Sequence, residues 1–518
     1  MKRGGFLARF RMLRLVAALL PALLWLGWPD SAEAQAVPNI AAAKIQAGGM
    51  GAAAGRNARE LIIGSISWSI EGRVDRAFVS AAAGLERGKT FASRKELEAY
   101  LADRAQRLYN LRLFDEVRIE PVDGGGPGGP GGPSDGGGPG GPGGPGGSSD
   151  GGGGPASSEI VDLVVRLRES GTFIVLPGLS QDSSDGLVLD AKLLRYDAEG
   201  RGGELDLGLS RAWPPASAAK TAGSVAYSLP FYTGPLVWHG AAAAAPALAD
   251  DGGASLSSGA SLGVDLPLFE GGGPNQVLFV PSIAAAGTWG ASATAALSPA
   301  LALRLGRIDW LVNRRRGYLI EVGVAGNGAG PDASGARLAA GQTIFETRTG
   351  ATLFSADAAF HALIGAGGEL MGRAGALWSP GAADCGLGTA VRGVDAGRLA
   401  GDAGLYANFD YWWNLGPFVF SKWFKMDWLS IFDAEVHAGP FVDAGIPRDP
   451  STGGFGLGDG RIGAGIQLQS YALYARPFYI YTSIGVDLRA ALAAGTIFGL
   501  AADGLPIARL SSAVGLRY

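Results

Sequence analysis

Three charged residues in a glycine-rich, weakly charged chain have the types and spacing to bind one another. Arg392 stands in the run Thr389-Ala390-Val391-Arg392-Gly393-Val394-Asp395, and Asp410 and Asp443 follow in segments of alternating polarity. A guanidinium offers five donors in a planar fork, grips carboxylates bidentately and keeps its charge at any working pH. Gly393 beside it lets the backbone turn tightly. The alternation assigns faces, because successive side chains of a strand point to opposite sides. In 405–413, Leu405, Ala407, Phe409, Tyr411 and Trp413 share one face, so Asn408 and Asp410 share the other. In 435–445, Val436, Ala438, Val442 and Ala444 share a face, leaving Glu435, His437, Phe441 and Asp443 opposite. Two neighbouring strands thus each aim a carboxylate to one side, and Arg392 lies in the loop before the first. Two outcomes are open. Either the loop folds inward and Arg392 meets Asp410 and Asp443, or Arg392 is a solvated loop charge.

Other chemistry finds little support. Gly259-Ala260-Ser261-Leu262-Gly263 matches the GxSxG nucleophile pattern, and Gly458, Gly460 and Gly463 match GxGxxG. Neither lies in the strand–turn–helix or βαβ context its chemistry needs, and chance supplies such matches where 86 of 518 residues are glycine. The one cysteine, Cys385, has no thiol to pair with, and His239, His361 and His437 are scattered. No enzymatic activity, metal site or cofactor is expected.

The elements that position the charged trio belong to an exported chain. Lys2, Arg3, Arg9, Arg11 and Arg14 precede a short apolar stretch, Leu15 to Trp28, and Ala32-Glu33-Ala34 supplies a cleavage site. Residues 1–34 therefore read as a secretory signal peptide, too short for a membrane span. A net charge of −4 gives no basic face for nucleic acid. Mean hydropathy is +0.17 with 17% charged residues, yet no later segment is long and apolar enough for a spanning helix. A closed β-barrel is the membrane architecture that remains, since it needs only alternation.

Residues 35–59 read as a flexible segment, and 60–170 as a small α+β domain of order β-α-α-β-β. Its strands are expected at Leu61–Ile70, Phe114–Pro121 and Ile160–Leu167, with helices at Val74–Ala83 and from the Ser93 cap to Asn110. Residues 124–157, built mostly from Gly-Gly-Pro units, form a solvated insertion in a hairpin. From 171 to 518 the period is two throughout. At roughly 20–22 residues per strand and connection, this suggests an all-β transmembrane barrel of about 16 antiparallel strands. The chain ends on Val514, Leu516 and Tyr518, an alternating, aromatic-terminated strand suited to closing the barrel and signalling its assembly. Trp412, Trp413, Trp423, Phe424 and Trp428 cluster at one turn as an interfacial aromatic girdle.

These residues resemble the Omp85 superfamily, which includes the bacterial surface antigen D15 and barrel-assembly proteins. Val391-Arg392-Gly393 is similar to its VRGF/Y loop motif, and Phe441-Val442-Asp443-Ala444-Gly445 to its FxDxG strand motif. The domain at 60–170, with "LRLFDEVRIE" and "VDLVVRLRES", resembles a single POTRA domain. The resemblance implies a loop folded into the lumen, with Arg392 held by Asp443 and by Asp410. Val394 departs from the family's aromatic at that position. It further implies a bacterial outer-membrane protein, with its POTRA-like domain in the periplasm, that assists insertion, assembly or translocation of other proteins. Clients would be captured by strand addition to the POTRA-like sheet, at the strand Leu61–Ile70 or the strand Phe114–Pro121, and by a weak barrel seam. The partners implied are the outer-membrane bilayer, unfolded outer-membrane or secreted clients and periplasmic accessory proteins. A passive porin-like channel, or dedicated secretion or lipid export through the same fold, are the alternatives.

Overall fold

Hydrophobic periodicity changes near residue 170, and so does the architecture in the computed structural model of the protein. The structure describes residues 60–123 and 158–516, apart from 183–185, 198, 214–217, 235, 271–274, 291–293, 327–351, 366, 450–451 and 476–477. The signal peptide at 1–34, the segment 35–59, the insertion 124–157 and Tyr518 lie outside the described residues.

The N-terminal unit runs β1 (Leu61–Glu71), α1 (Arg76–Ala83), β2 (Thr90–Phe91), α2 (Arg94–Asn110), β3 (Phe114–Asp123) and β4 (Glu159–Glu169). The β-α-α-β-β order is as expected, with β2 added, a strand too short to show a period. The Asp75 side chain accepts from the Ala77 amide at 2.7 Å to start α1, and Gly84 ends it at φ 60°. Ser93 accepts from the Glu96 amide at 3.2 Å while the Glu96 carboxylate reaches back to the Ala92 amide at 2.9 Å. This reciprocal cap fixes the start of α2. Leu97, Leu101, Ala105 and Leu108 then fall on one face and pack in one core with Val117, Ile119, Leu163 and Val165. The sheet order is β2-β1-β4-β3, with β1 parallel to β4 and β3 antiparallel to it. β2 pairs with β1 only at Leu61 and Ile62, so beyond them β1 is one edge of the sheet among the described residues, and β3 is the other. Both strands that the sequence offered as the edge therefore remain candidates.

Sixteen antiparallel strands follow, from β5 (Phe173–Asp182) to β20 (Ala508–Leu516), each paired only with its neighbours in sequence. This is the up-and-down meander of a barrel. The first and last strands approach within 8 Å between Cα atoms, yet no ladder joins β5 to β20 among the described residues. Val514 and Leu516 pair with Ile480 and Phe478 in the last hairpin. Burial here is the inverse of the N-terminal unit. Leu209, Leu262, Ile283, Leu301, Val322, Phe409, Val442, Ile466 and Ile484 all stand exposed on the outside of the sheet. Each such side chain left in water forgoes about 1.5–3 kcal/mol, so the outer face belongs in lipid. No helix among the described residues is long and apolar enough to cross a membrane. Ser261, the centre of the GxSxG match, lies mid-strand opposite Ala241 and Ala284 rather than on a strand–helix elbow.

The N-terminal unit docks across one end of the barrel. Asp103 of α2 pairs with Arg307 at 2.8 Å, and Arg307 in turn with Asp309 at 2.7 Å. Asn110 donates to Asp309 at 2.9 Å and accepts from the Trp310 amide at 2.9 Å. Arg112 donates to the Val312 carbonyl at 2.7 Å and lies over the Trp310 ring at 4.2 Å. These contacts grip the turn between β12 (Thr294–Leu311) and β13 (Arg314–Ala325). Elsewhere the Asp75 amide donates to Gly200 at 2.6 Å and the Gly171 amide to Tyr474 at 2.7 Å. Turns well separated around the ring are thus held by one small unit, which spans the mouth.

Asp197 in the Gly200 turn is buried, and burial raises its carboxyl to about 6, against the Gly202 amide that bonds it. A raised acid favours the folded turn in its protonated form. That stabilisation is complete below the ordinary aspartate range near pH 4 and is lost as pH rises through about 6. Hydrogen exchange of residues 197–203 should therefore be slower at pH 4.5 than at pH 7.5 after correction for intrinsic rates. Asp197→Asn should abolish that difference.

Candidate functional site: a lumenal arginine lock

The site is laid out by strand register. β16 (Ala403–Phe418), β17 (Ala434–Pro447), β18 (Arg461–Ala472) and β19 (Phe478–Asp487) lie side by side. Across them Asp410 faces Phe441, Phe441 faces Gly465, and Gly465 faces Gly485. The adjacent inward row is Asn408, Asp443, Gly463 and Asp487. Asn408, Asp410, Phe441 and Asp443 are all buried, while Phe409 and Val442 between them stand outside. Period-two alternation alone produces this sorting.

The loop between β15 (Gly368–Trp378) and β16 descends onto these rows. Arg392 grips Asp443 three ways. Its backbone amide and Nε both donate to Oδ2 at 2.8 Å, and Nη2 donates to Oδ1 at 2.7 Å. Nη2 also donates to Asp410 Oδ1 at 2.5 Å. Nη1 donates to Gln467 Oε1 at 2.6 Å and to the Tyr481 hydroxyl at 3.1 Å. All five guanidinium hydrogens are matched, and the plane lies over the Phe441 ring at 4.2 Å. Gln467 closes the network by donating to Asp410 at 3.0 Å. A fully matched buried network favours one geometry over its neighbours.

Glycines make the descent possible. A Cβ on Gly463 would lie 1.8 Å from the Arg392 carbonyl oxygen, and one on Gly485 2.7 Å from Gly393 Cα. The loop backbone therefore lies directly on the sheet. Gly393 itself adopts φ 76°, the left-handed region that other residues avoid. Val391 and Val394 are buried with Leu387, Leu399 and Cys385 of the loop and with Leu353, Leu377 and Tyr406 of the barrel strands in one apolar cluster. Val394 thus packs where the family resemblance leads one to expect an aromatic. Gly445 is part of the same contact, since a Cβ there would meet the Val391 side chain at 2.7 Å.

Further anchors hold the rest of the loop. The Asn408 amide donates to the Ala390 carbonyl at 2.8 Å, and Arg509 of β20 to the Val394 carbonyl at 3.2 Å. Arg398 binds Asp503 through two donors at 2.8 Å and Asp487 at 3.1 Å. The Arg398 hydrogen bonds hold the Asp503 carboxyl below the usual carboxylate range.

The structure brings together Val391, Arg392, Gly393, Asp410, Phe441, Asp443 and Gly445. Val514 and Leu516 belong to the last strand, β20. Sequence reasoning missed Gln467, Tyr481, Asn408's carbonyl contact, Arg398 and Arg509. Gln467 obeys the same alternation as Ile466 and Leu468 and was readable as inward-facing, but an uncharged polar residue carries no flag. Trp412 departs from the expected girdle. It is buried, and its ring meets Tyr481 at 6.3 Å inside the barrel, while Trp413 alone of the pair faces out.

The described residues thus form a sixteen-stranded sheet with an apolar outer belt, entered by an arginine-tethered loop and met at one end by an α/β unit. Solved structures agree at the level of fold. CdiB from Acinetobacter baumannii is similar with a TM-score of 0.50 and 13% identity over 88% of this chain and 74% of that one. CdiB from Escherichia coli follows at 0.44 and 13%, over 90% and 92% of the two chains. BamA from Haemophilus ducreyi lacking POTRA domains 1–3 stands at 0.40 and 12%, over 87% and 84%. No protein-family model and no curated protein sequence matches the chain.

Removing the arginine strands two buried carboxylates. Arg392→Ala should cost about 3–5 kcal/mol in unfolding from a bilayer, read as a lower midpoint for loss of the compact, heat-resistant gel band. Asp443→Ala in the same chain should recover part of that loss, since the pair is coupled. Gly485→Val should lower the midpoint with Arg392 intact, because its side chain meets Gly393.

Proposed function

We propose that the protein inserts or translocates other polypeptides at the bacterial outer membrane, with its barrel in that membrane and its POTRA-like unit in the periplasm. The observation that carries this reading is the arginine lock. A loop held in the lumen by every donor of Arg392 obstructs an open channel and at the same time ties neighbouring strands together. Two exposed strand edges supply the means. β3 ends the POTRA-like sheet and offers unpaired backbone groups to an extended client segment. Among the described residues β5 and β20 approach without a ladder, which makes that seam the weak point of the barrel wall. The work is strand exchange and local membrane perturbation, and it calls on no catalytic group.

The lock reaches that seam. Arg509 joins the loop to β20, and the network of Arg392 joins the loop to β16, β17, β18 and β19. The loop therefore braces the last five strands while β5 is left outside the brace.

Purified protein in liposomes should accelerate folding of an urea-unfolded outer-membrane protein. In planar bilayers it should conduct poorly, and Arg112→Ala combined with Arg307→Ala should raise conductance by releasing the unit that spans the mouth. Steady open conductance of the unaltered protein, with no acceleration of client folding, would identify a passive porin instead.

A further inference from the structure

The connection between β16 and β17 lies at the periplasmic end of the barrel and differs from the other described turns there. Residues 312–313 suffice to join β12 to β13, but residues 419–433 join β16 to β17. A turn in water favours Gly, Asn, Asp and Ser. This one reads Val419-Phe420-Ser421-Lys422-Trp423-Phe424-Lys425-Met426-Asp427, then Trp428-Leu429-Ser430-Ile431-Phe432-Asp433. It forms a helix, Phe420–Phe424, and a 3-10 turn, Asp427–Phe432, with Lys425 reversing the chain at φ 54°.

The base of this excursion is fixed. The Ser421 amide and hydroxyl both donate to the Asp433 carboxylate, at 3.0 and 2.6 Å. The Leu473 amide donates to the Asp433 carbonyl at 2.9 Å, tying the base to the next turn. Four of its described apolar residues are nevertheless largely exposed: Trp423 is 59% exposed, Phe424 60%, Met426 46% and Phe432 54%.

Register decides which way the excursion points. A bulge between Asn414 and Gly416 inserts one residue into β16 and reverses its phase. Phe418, which strict alternation would turn inward, consequently pairs with Ala434, on the outer face shared with Val436 and Ala438. Trp423 packs edge-on against Phe418 at 5.7 Å and against Phe420 at 5.4 Å. The helix therefore stands on the outside of the barrel, continuous with the exposed column of Trp413 and Leu415 that already faces lipid.

We propose that residues 419–433 form a membrane-surface foot, seated in the headgroup–acyl boundary of the periplasmic leaflet. Trp423, Phe424, Met426 and Phe432 enter the acyl edge, and Lys422 and Lys425 reach lipid phosphates. Aromatic rings and lysines on one short amphipathic segment suit that boundary. Asp433, whose ionised form Ser421 and Lys422 stabilise at the base, and Asp427 balance the two lysines over the segment, so any contact with phosphate is local to the lysine side chains. The foot fixes the height and tilt of β16 and β17, the two strands that carry Asp410 and Asp443. This inference rests on the membrane-barrel reading.

The test uses the full chain in nanodiscs, with Cys385→Ala and a nitroxide label introduced by Phe424→Cys. Ile466→Cys on the outer belt and Glu98→Cys on α2 serve as lipid and water references. Protection of the Phe424→Cys label from a water-soluble nickel chelate, with access to oxygen retained, supports the foot. Nickel access equal to that at Glu98→Cys, with Ile466→Cys still protected, overturns the foot and leaves the barrel in place. Nickel access at all three sites overturns the barrel reading itself. Spin–spin broadening at Phe424→Cys would mark a second copy as the occupant and also overturn the proposal. In discs of phosphatidylglycerol and phosphatidylcholine, Lys422→Glu with Lys425→Glu should raise nickel access, and in phosphatidylcholine alone it should not. Equal behaviour in the two lipids overturns the lysine–phosphate contact.

Discussion

A guanidinium inside a barrel lumen must find five acceptors in fixed directions, and the rest of this molecule is arranged around that demand. Arg392 finds them on β16, β17, β18 and β19. Meeting them requires the loop backbone to lie against the sheet, and any side chain on Gly463 or Gly485 would hold it away. The glycines are thus a consequence of the arginine. Its charge also explains the low tolerance of the site for change. Carboxylates as buried as Asp410 and Asp443 are supportable only while a matched cation stays beside them.

The two halves of the chain solve the hydrophobic problem in opposite directions. The N-terminal unit turns its apolar faces inward, with two helices packed on a four-stranded sheet. The barrel turns large apolar side chains outward and keeps glycine, amides and charge within. Such an arrangement is stable only where lipid replaces water. The halves meet through polar contacts, Asp103 with Arg307 and Arg112 with Val312, and through a shared apolar core, in which Ile174, Leu194, Tyr196, Ala475 and Phe478 of the barrel join the core of the N-terminal unit. Polar interfaces between domains permit relative motion more readily than large apolar ones. The shared core therefore holds the unit at the mouth more firmly than the polar contacts alone would.

Much of the site was legible because strand alternation is a strict geometric rule. Asp410 and Asp443 could be placed inside from the residues flanking them, and Phe441 with them. The partners Gln467 and Tyr481 obey the same rule but carry no charge to draw notice. Trp412 was grouped with its neighbours as an interfacial ring, although alternation with Trp413 already turned it inward. Val394 shows the opposite limit. It is buried in a cluster with Leu387 and Leu399 of the same loop and with Leu353, Leu377 and Tyr406 of three strands, and no local pattern links them.

By itself the sequence determined that residues 171–518 make strands with one apolar face, and that the inward face of β16 and β17 carries acids. It determined the capped helices of the N-terminal unit as well, because caps and periods are local. Only the tertiary structure decided that Arg392 is a tether rather than a solvated loop charge. It decided too that a bulge at Asn414 turns Phe418 and the foot beyond it outward. Each of these depends on which strands become neighbours and in what register. Those pairings join residues far apart in the chain, where no period in the sequence can reach.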